Sequence, residues 1–126
     1  MNFEDYEKQY SSLYADFAVT VRFIVEKAIA ATSGLPVLQS IQARHKVPDR
    51  LKARLEESGL LGSQHIEDDR KDLAGIRLIF YTNTEVDRFL ASRLIFENFE
   101  IDQQATKIHH PTKENEDTRY QAIHYV

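Results

Sequence analysis

Apolar residues at the start of the chain recur at alternating steps of three and four, the stripe of an amphipathic helix. A run of small residues, a glycine and a proline then marks the helix end at residues 30–36. The pattern predicts a long N-terminal amphipathic helix within residues 1–33. Its near seven-residue spacing also suits a coiled-coil partner, although burial against the chain's own core is the favoured interpretation. The stripe consists of Phe3, Tyr6, Tyr10, Leu13, Phe17, Val21, Ile24 and Ala28.

Shorter elements are predicted in the middle of the chain. Residues 37–43 form an apolar run of ambiguous period that suits a strand, and residues 48–58 predict a short helix whose first turn contains Pro48. The polar residues 62–72 predict a loop. The continuous apolar run over residues 75–82 then indicates a central strand.

The last part of the chain alternates between helix and strand signals. Thr84 and the acids after it predict a helix N-terminus, and the apolar positions continue to about residue 97. Residues 99–102 alternate like an edge strand, residues 106–118 suit a polar loop, and residues 119–126 predict a strand. The order of elements predicts one α/β or α+β sheet domain over residues 34–126, with helices packed on the sheet.

Composition narrows the class of protein. The chain has 126 residues, 42% of them hydrophobic and 29% charged, and no cysteine, which excludes a disulfide framework and a thiolate metal site. Its start has no secretory-leader pattern, and no apolar run is long enough for a membrane span, so we expect a cytoplasmic protein with no membrane partner. A net charge of -4 argues against duplex DNA as a partner.

A basic cluster precedes and enters the helix predicted at Pro48. Its cations and the free N–H groups of the helix start can converge on a phosphate chain. From spacing alone, an ordinary solvated helix face is the commoner alternative. The cluster consists of Arg44, Lys46, Arg50, Lys52 and Arg54.

Asp72 stands just before the predicted central strand, where a carboxylate can hold Mg²⁺ against substrate phosphates. Gly75 permits a close approach of other groups, and Arg77 adds a cation within the strand. Taken alone, Asp72 is also consistent with a turn residue, and Arg77 with a surface charge.

Tyr120 and His124 share one face of the predicted last strand, with the small Ala122 between them. An aromatic ring beside a small residue is suited to stacking a purine, and a nearby histidine can donate to a phosphate or a ribose. Ordinary packing of a half-buried strand is the alternative.

Taken in order, three segments resemble the synthetase domain of RelA/SpoT enzymes and of small alarmone synthetases, over about residues 37–126. The resemblance implies a nucleotidyltransferase-like mixed sheet and an ATP:guanosine nucleotide 3'-pyrophosphotransferase that makes (p)ppGpp-type alarmones of the stringent response. ATP, GDP or GTP, and Mg²⁺ are the implied ligands. The segments are A-R-H-K-x-x-x-R-x-x-x-R, D-L-A-G-I-R-L-I and R-Y-Q-A-I-H-Y-V.

The resemblance also implies a role for each matching residue. ATP contacts are implied for Arg44, Lys46, Arg50 and Arg54, and metal binding for Asp72. Tyr120 is implied to stack on the acceptor base, and His124 and Arg77 join it in the guanine-nucleotide site.

Departures from the family pattern leave alternatives for the acceptor. Arg119 replaces a glycine before the stacking tyrosine, and Arg50 replaces a serine of the basic helix. The sequence also stops before the strand on which the family carries its catalytic glutamate, so we expect little activity from these residues alone. Pyrophosphorylation of RNA 3' ends and a degenerate nucleotide-sensing half-domain are the alternatives, and a homo-oligomer is a further expectation.

Overall fold

The computed structural model describes residues 1–102 and the backbone of two later strands, 107–109 and 122–124. These residues form two compact units. The first comprises Met1–Val25 with Ile41–Arg77, and the second comprises Glu26–Ser40 with Leu78–Val126. Helices and strands are mixed, which confirms the α+β class at this coarse level. Across the described residues, no helix combines the length and apolar character that crossing a membrane requires.

The predicted N-terminal helix is present and ends at Ala30. It consists of α1 (Phe3–Asp5), a π-helical segment (Tyr6–Tyr10) and α2 (Ser11–Ala30). Its start is fixed by a reciprocal cap, in which the Asn2 side chain accepts from the Asp5 amide at 2.9 Å and the Asp5 carboxylate accepts from the Asn2 amide. The sequence did not predict the π-helical segment, because the apolar spacing continues across it unbroken.

Two strands and two helices follow the N-terminal helix. They are β1 (Ser40–His45), α3 (Pro48–Glu57), α4 (Ile66–Asp69) and β2 (Ala74–Ile79). α3 agrees with its prediction, whereas β1 begins three residues later than predicted. The predicted loop over residues 62–72 is wrong in part, because it contains α4 and the fully buried Ile66.

β1 and β2 are hydrogen-bonded neighbours in a two-stranded sheet. The amide of Lys46, just after β1, donates to the carbonyl of Leu73, just before β2, at 2.8 Å. The end of one strand therefore lies beside the start of the other, as in an antiparallel pair. This pairing brings together the segments that follow β1 and precede β2.

The core of the first unit is built from the N-terminal helix, α3 and α4. Leu51 and Leu55 lie one helical turn apart on α3 and are fully buried, so α3 turns its apolar stripe inward and its charges outward. Burial of these side chains supplies the main stabilising free energy of the unit. The buried cluster contains Tyr6, Leu51, Leu55, Ile66 and Leu73, with Met1, Phe3, Tyr14 and Leu60 packed against it.

In the second unit, α5 (Asn83–Ala91) and α6 (Leu94–Asn98) replace the single predicted helix. The N-cap is Thr82, which accepts from the Glu85 amide at 3.2 Å, and the predicted cap at Thr84 is therefore wrong by two residues. The helix breaks at Arg93, whose φ of 58° lies in the left-handed region.

The predicted edge strand over residues 99–102 is wrong, because that segment carries no strand. β3 (Lys107–His109) lies where a loop was predicted, and it pairs antiparallel with β4 (Ala122–His124), with Ile108 opposite Ile123. β4 lies within the predicted last strand; the rest of residues 119–126 falls outside the described residues. Each sheet in the described part of the chain has two strands, so the larger mixed sheet stays a prediction.

Candidate functional site

A cleft of about 320 Å³ opens in the first unit beside α3. Three cationic and two anionic side chains line it, together with one hydroxyl and one buried leucine. We call it the cationic cleft. It is lined by Lys46, Leu51, Arg54, Glu57, Ser58, Arg70 and Asp72.

Lys46 and Asp72 meet in the cationic cleft because β1 and β2 pair. The backbone amide of Lys46 donates a hydrogen bond to the carbonyl of Leu73, the residue after Asp72. This hydrogen bond places the side chains of Lys46 and Asp72 next to each other. Lys46 Nζ lies 2.5 Å from Asp72 Oδ2. The Lys46 side chain is only 23% exposed and that of Asp72 is 64% exposed, so the lysine is held and the carboxylate faces the opening.

The side chain of Tyr6 is hydrogen-bonded to the backbone of Lys46. Its ring is fully buried, and its hydroxyl donates to the Lys46 carbonyl. Burial is the main reason that the pKa of Tyr6 is raised above its ordinary value, so the phenol stays protonated as a donor at neutral pH. The N-terminal helix thus reaches the cleft through one hydrogen bond.

Two opposing effects set the pKa of Asp72. Partial burial is the largest effect and raises it, but the hydrogen bond and the charge of Lys46, with a smaller contribution from Arg70, outweigh burial and lower the pKa below its ordinary value. Asp72 is therefore ionised at neutral pH. An ionised carboxylate at the opening can accept a hydrogen bond or coordinate a cation.

Arg70 crosses the C-terminal end of α3. Its Nη2 donates to the carbonyl of Arg54 at 3.1 Å and to the hydroxyl of Ser58 at 3.2 Å. The carbonyls of a last helical turn have no partner within the helix, and a cation satisfies them well. Arg70 Nε is buried and has no hydrogen-bond partner among the described residues. Arg54 itself pairs with Glu57, with Nη1 at 3.3 Å from Oε2.

The structure brings three of the predicted site residues into the cationic cleft, namely Lys46, Arg54 and Asp72. Arg44 and Arg50 are exposed and lie outside its lining.

Arg77 is exposed on β2 and is likewise outside the lining. Tyr120 lies outside the described residues. His124 belongs to β4, and its side chain is also outside them.

Sequence reasoning did not identify Arg70, Glu57 or Ser58 as parts of the site. Arg70 stands in a run of charges, D-D-R-K-D, where nothing local separates it from its neighbours. Its place depends on α4 and the buried Ile66, which turn the chain back toward the end of α3. The apolar Ile66 within a polar segment was the signal that could have indicated this turn.

The carboxylate of Asp72 is the group in the cleft that suits Mg²⁺. Within the described residues, no group of three or more histidine or carboxylate side chains is placed to hold a metal ion. Mg²⁺ commonly takes one or two protein carboxylates and completes its shell with water and substrate phosphates. Asp72 therefore suits a metal ion that arrives with a polyphosphate and does not suit a permanent metal centre.

Comparison with known proteins gives no match to any protein-family model, curated protein or solved structure. The geometry of the cleft and the motifs around it are thus the observations that bear on function.

Proposed function

We propose that this chain is the ATP- and Mg²⁺-binding part of an ATP:guanosine nucleotide 3'-pyrophosphotransferase that resembles RelA/SpoT synthetases. The observation that carries the proposal is the contact between Lys46 and Asp72. These residues come from two separate segments of the resemblance, and they meet in one cleft of about 320 Å³. A cation for phosphate and a carboxylate for metal are the two groups that phosphoryl transfer needs side by side.

Phosphate binding rests on the excess of cations in the cleft. Lys46 and Arg54 come from opposite ends of the loop and helix that border it, and Arg70 adds a third positive charge. An arginine can bind two phosphate oxygens at once, and a lysine acts as a compact charge. A triphosphate bridging these side chains would neutralise their charges.

Asp72 is the carboxylate that would hold the metal ion. Lys46 contacts one of its oxygens. A phosphate that attracts Lys46 would leave that oxygen available to Mg²⁺. The ion would supply charge stabilisation to the transferred pyrophosphate, and Asp72 would orient it.

The acceptor side of the proposal rests on the resemblance. Tyr120 would stack on the guanine base, with His124 and Arg77 as partners of the acceptor nucleotide, within a nucleotidyltransferase-like mixed sheet. The ATP and guanine nucleotide pools that such a reaction consumes are those of the cytoplasm.

Calorimetric titration with a non-hydrolysable ATP analogue and Mg²⁺ tests the proposal. We expect wild type to bind and Lys46→Ala to bind at least about tenfold more weakly, because a charge-assisted phosphate contact is lost. Lys52→Ala is the matched control, since Lys52 is exposed on α3 and outside the cleft. No binding by wild type, or equal losses in the two variants, contradicts a nucleotide site here.

Product analysis separates the possible acceptors. The protein is incubated with ATP labelled in its β-phosphate and with GDP, GTP, GMP or a short RNA. Label on the guanine nucleotide supports the proposal, and label on the RNA 3' end contradicts the assigned acceptor. Binding of ATP without transfer to either acceptor is the result expected if these residues supply only the ATP- and Mg²⁺-binding part.

A further inference from the structure

Lys46 lies in the short connection between β1 and α3. β1 ends at His45 and α3 begins at Pro48, so Lys46 and Val47 alone join the two elements. Val47 is the N-cap of α3, but its side chain makes no capping hydrogen bond, and Pro48 has no amide hydrogen to donate. The start of α3 therefore provides no side-chain cap that would fix the backbone of Lys46.

Two buried residues from distant segments hold the backbone of Lys46 instead. Its amide donates to the carbonyl of Leu73 at 2.8 Å, and its carbonyl accepts from the hydroxyl of Tyr6. Tyr6 and Leu73 belong to the same buried cluster and are 0% and 2% exposed. Because both partners are packed in the core, both backbone polar groups of Lys46 are fixed relative to the core.

The two hydrogen bonds depend on different parts of the chain. The bond to Leu73 joins two backbone groups and accompanies the pairing of β1 with β2. The bond to Tyr6 depends on a side chain, and this side chain comes from the N-terminal helix. Tyr6 is also the first residue of the π-helical segment, and such segments often occur where a helix contributes to a functional site.

The position of the backbone matters for the ammonium group that it carries. A lysine side chain has many rotamers, and ordering it costs entropy. The Lys46 side chain is only 23% exposed, and its Nζ lies 2.5 Å from Asp72 Oδ2. A displaced backbone would move the ammonium out of this place and would weaken its contact with an anion in the cationic cleft.

We propose that Tyr6 is a positioning residue of the cationic cleft, through which the N-terminal helix sets the affinity of the cleft for the phosphates of a nucleotide. Tyr6 does not line the cleft, so it acts by holding the carbonyl of Lys46 and not by touching the ligand. The inference rests on the proposed function for its ligand, a nucleoside triphosphate, whereas the fixed position of Lys46 can be measured without any ligand.

A double-mutant cycle between Tyr6→Phe and Lys46→Ala tests the proposal by calorimetric titration with a non-hydrolysable ATP analogue and Mg²⁺. Where Lys46 is present, Tyr6→Phe should weaken binding by at least about threefold, which is within the range of coupling between residues of one hydrogen-bond network. In the Lys46→Ala background, Tyr6→Phe should have no further effect, because the group that it positions is gone. A purely structural role would lower the affinity equally in both backgrounds.

Tyr14→Phe is the matched control. Tyr14 packs against the ring of Tyr6, with ring centroids 5.8 Å apart, and does not line the cleft. Circular dichroism and urea unfolding define conditions in which every variant is folded. Equal losses of affinity in Tyr6→Phe and Tyr14→Phe overturn the proposal, as does an equal effect of Tyr6→Phe with and without Lys46. If wild type does not bind the analogue, the proposed function fails, and hydrogen exchange decides the positioning role.

Amide hydrogen exchange measured by NMR tests the position of Lys46 without a ligand. In wild type the Lys46 amide should exchange as slowly as the amide of Leu51, which donates to the Val47 carbonyl within α3 at 3.0 Å. Tyr6→Phe should accelerate exchange at Lys46 more than at Leu51, whereas Tyr14→Phe should affect the two amides equally. Fast exchange at Lys46 in wild type, or a uniform change in Tyr6→Phe, overturns the proposal whether or not the protein binds nucleotide.

Discussion

Lys46 and Asp72 form an ion pair in the cationic cleft. Nζ of the lysine lies 2.5 Å from Oδ2 of the carboxylate. Under the proposed function, a phosphate on the lysine would compete with Asp72, and a metal ion on the carboxylate would compete with Lys46. The binding of the two ligands would then be coupled through the ion pair, because each would remove the competitor of the other.

Asp72→Asn should separate the contribution of phosphate binding from the contribution of metal binding. We expect metal-free affinity for a non-hydrolysable ATP analogue to stay equal or to rise, since Lys46 is no longer held by a carboxylate. The increase in affinity on adding Mg²⁺ should become smaller than in wild type, because the metal loses its protein ligand. Calorimetry with and without Mg²⁺ measures both quantities. An unchanged increment would show that Asp72 is a turn residue without a metal role.

Arg54→Ala and Arg50→Ala distinguish the geometry of the cleft from the family resemblance. Arg54 lines the cleft, whereas Arg50 is exposed on α3 outside its lining. We expect Arg54→Ala to weaken binding of the ATP analogue by at least about tenfold, the equivalent of one charged hydrogen bond, and Arg50→Ala to weaken it less. The reverse order would mean that the nucleotide lies along the N-terminal part of α3.

Acidification should remove the stabilising contribution of the Lys46–Asp72 pair. The pKa of Asp72 is lowered from its ordinary value of 3.8, so the unfolded chain binds this proton more tightly than the folded chain does. The contribution is then present above about pH 3.8 and is lost as the pH falls further, through the folded pKa. For a pair this exposed it amounts to at most about 1 kcal/mol.

Urea unfolding of wild type and Asp72→Asn at a series of pH values checks this prediction. The difference in free energy of unfolding between them should be constant from pH 8 to pH 5 and should shrink below about pH 4. Lys46→Met should abolish the same pH dependence. A difference between wild type and Asp72→Asn that persists in full at pH 3 would contradict the assigned cause.

Tyr6→Phe should destabilise the first unit without changing its fold. The variant keeps the buried ring and removes the hydroxyl that donates to the Lys46 carbonyl. The expected loss is about 1 kcal/mol, and more if the carbonyl stays without a donor. Urea unfolding measures it, with Tyr14→Phe as the control from the same aromatic pair, whose ring centroids lie 5.8 Å apart. Equal losses in the two variants would remove the special role of Tyr6.

Arg70→Ala should affect both the end of α3 and the cleft. It removes the donor to the Arg54 carbonyl and the Ser58 hydroxyl, and we expect a loss of about 1–2 kcal/mol in the free energy of unfolding. ATP-analogue affinity should fall as well, because one of three cations is gone. Arg70→Lys is expected to restore the charge while losing the double donation. Restored affinity with incomplete stability in the lysine variant would separate the two roles.

Local signals account for the elements that the sequence predicted well. Pro48, Leu51 and Leu55 lie within one short segment and define α3 without help from distant residues. The helix break at Arg93 has no such signal, because a left-handed residue at a helix end is usually glycine. The predicted cap at Thr84 was displaced because Thr82 offers the same chemistry one half-turn earlier.

The candidate site was predictable only in part, for a related reason. Lys46 and Asp72 each carried a chemical hypothesis from the sequence, but their contact depends on the pairing of β1 with β2, which joins distant segments. Arg70 depends in addition on the buried Ile66 and the short α4. Neither long-range relationship leaves a periodic pattern in the sequence.

The π-helical segment makes the number of residues in one helical turn critical, in addition to the identity of Tyr6. The amide of Ser11 donates to the carbonyl of Tyr6, five residues back, so this turn contains one residue more than an α-helical turn with the same ends. A single-residue deletion between Tyr6 and Ser11 would restore regular α-helix but would rotate everything before it by about 100° relative to α2. Tyr6 would then leave the core or α2 would turn its buried face outward. Substitutions at the exposed residues 7–10 can be absorbed in this turn, whereas insertions and deletions cannot.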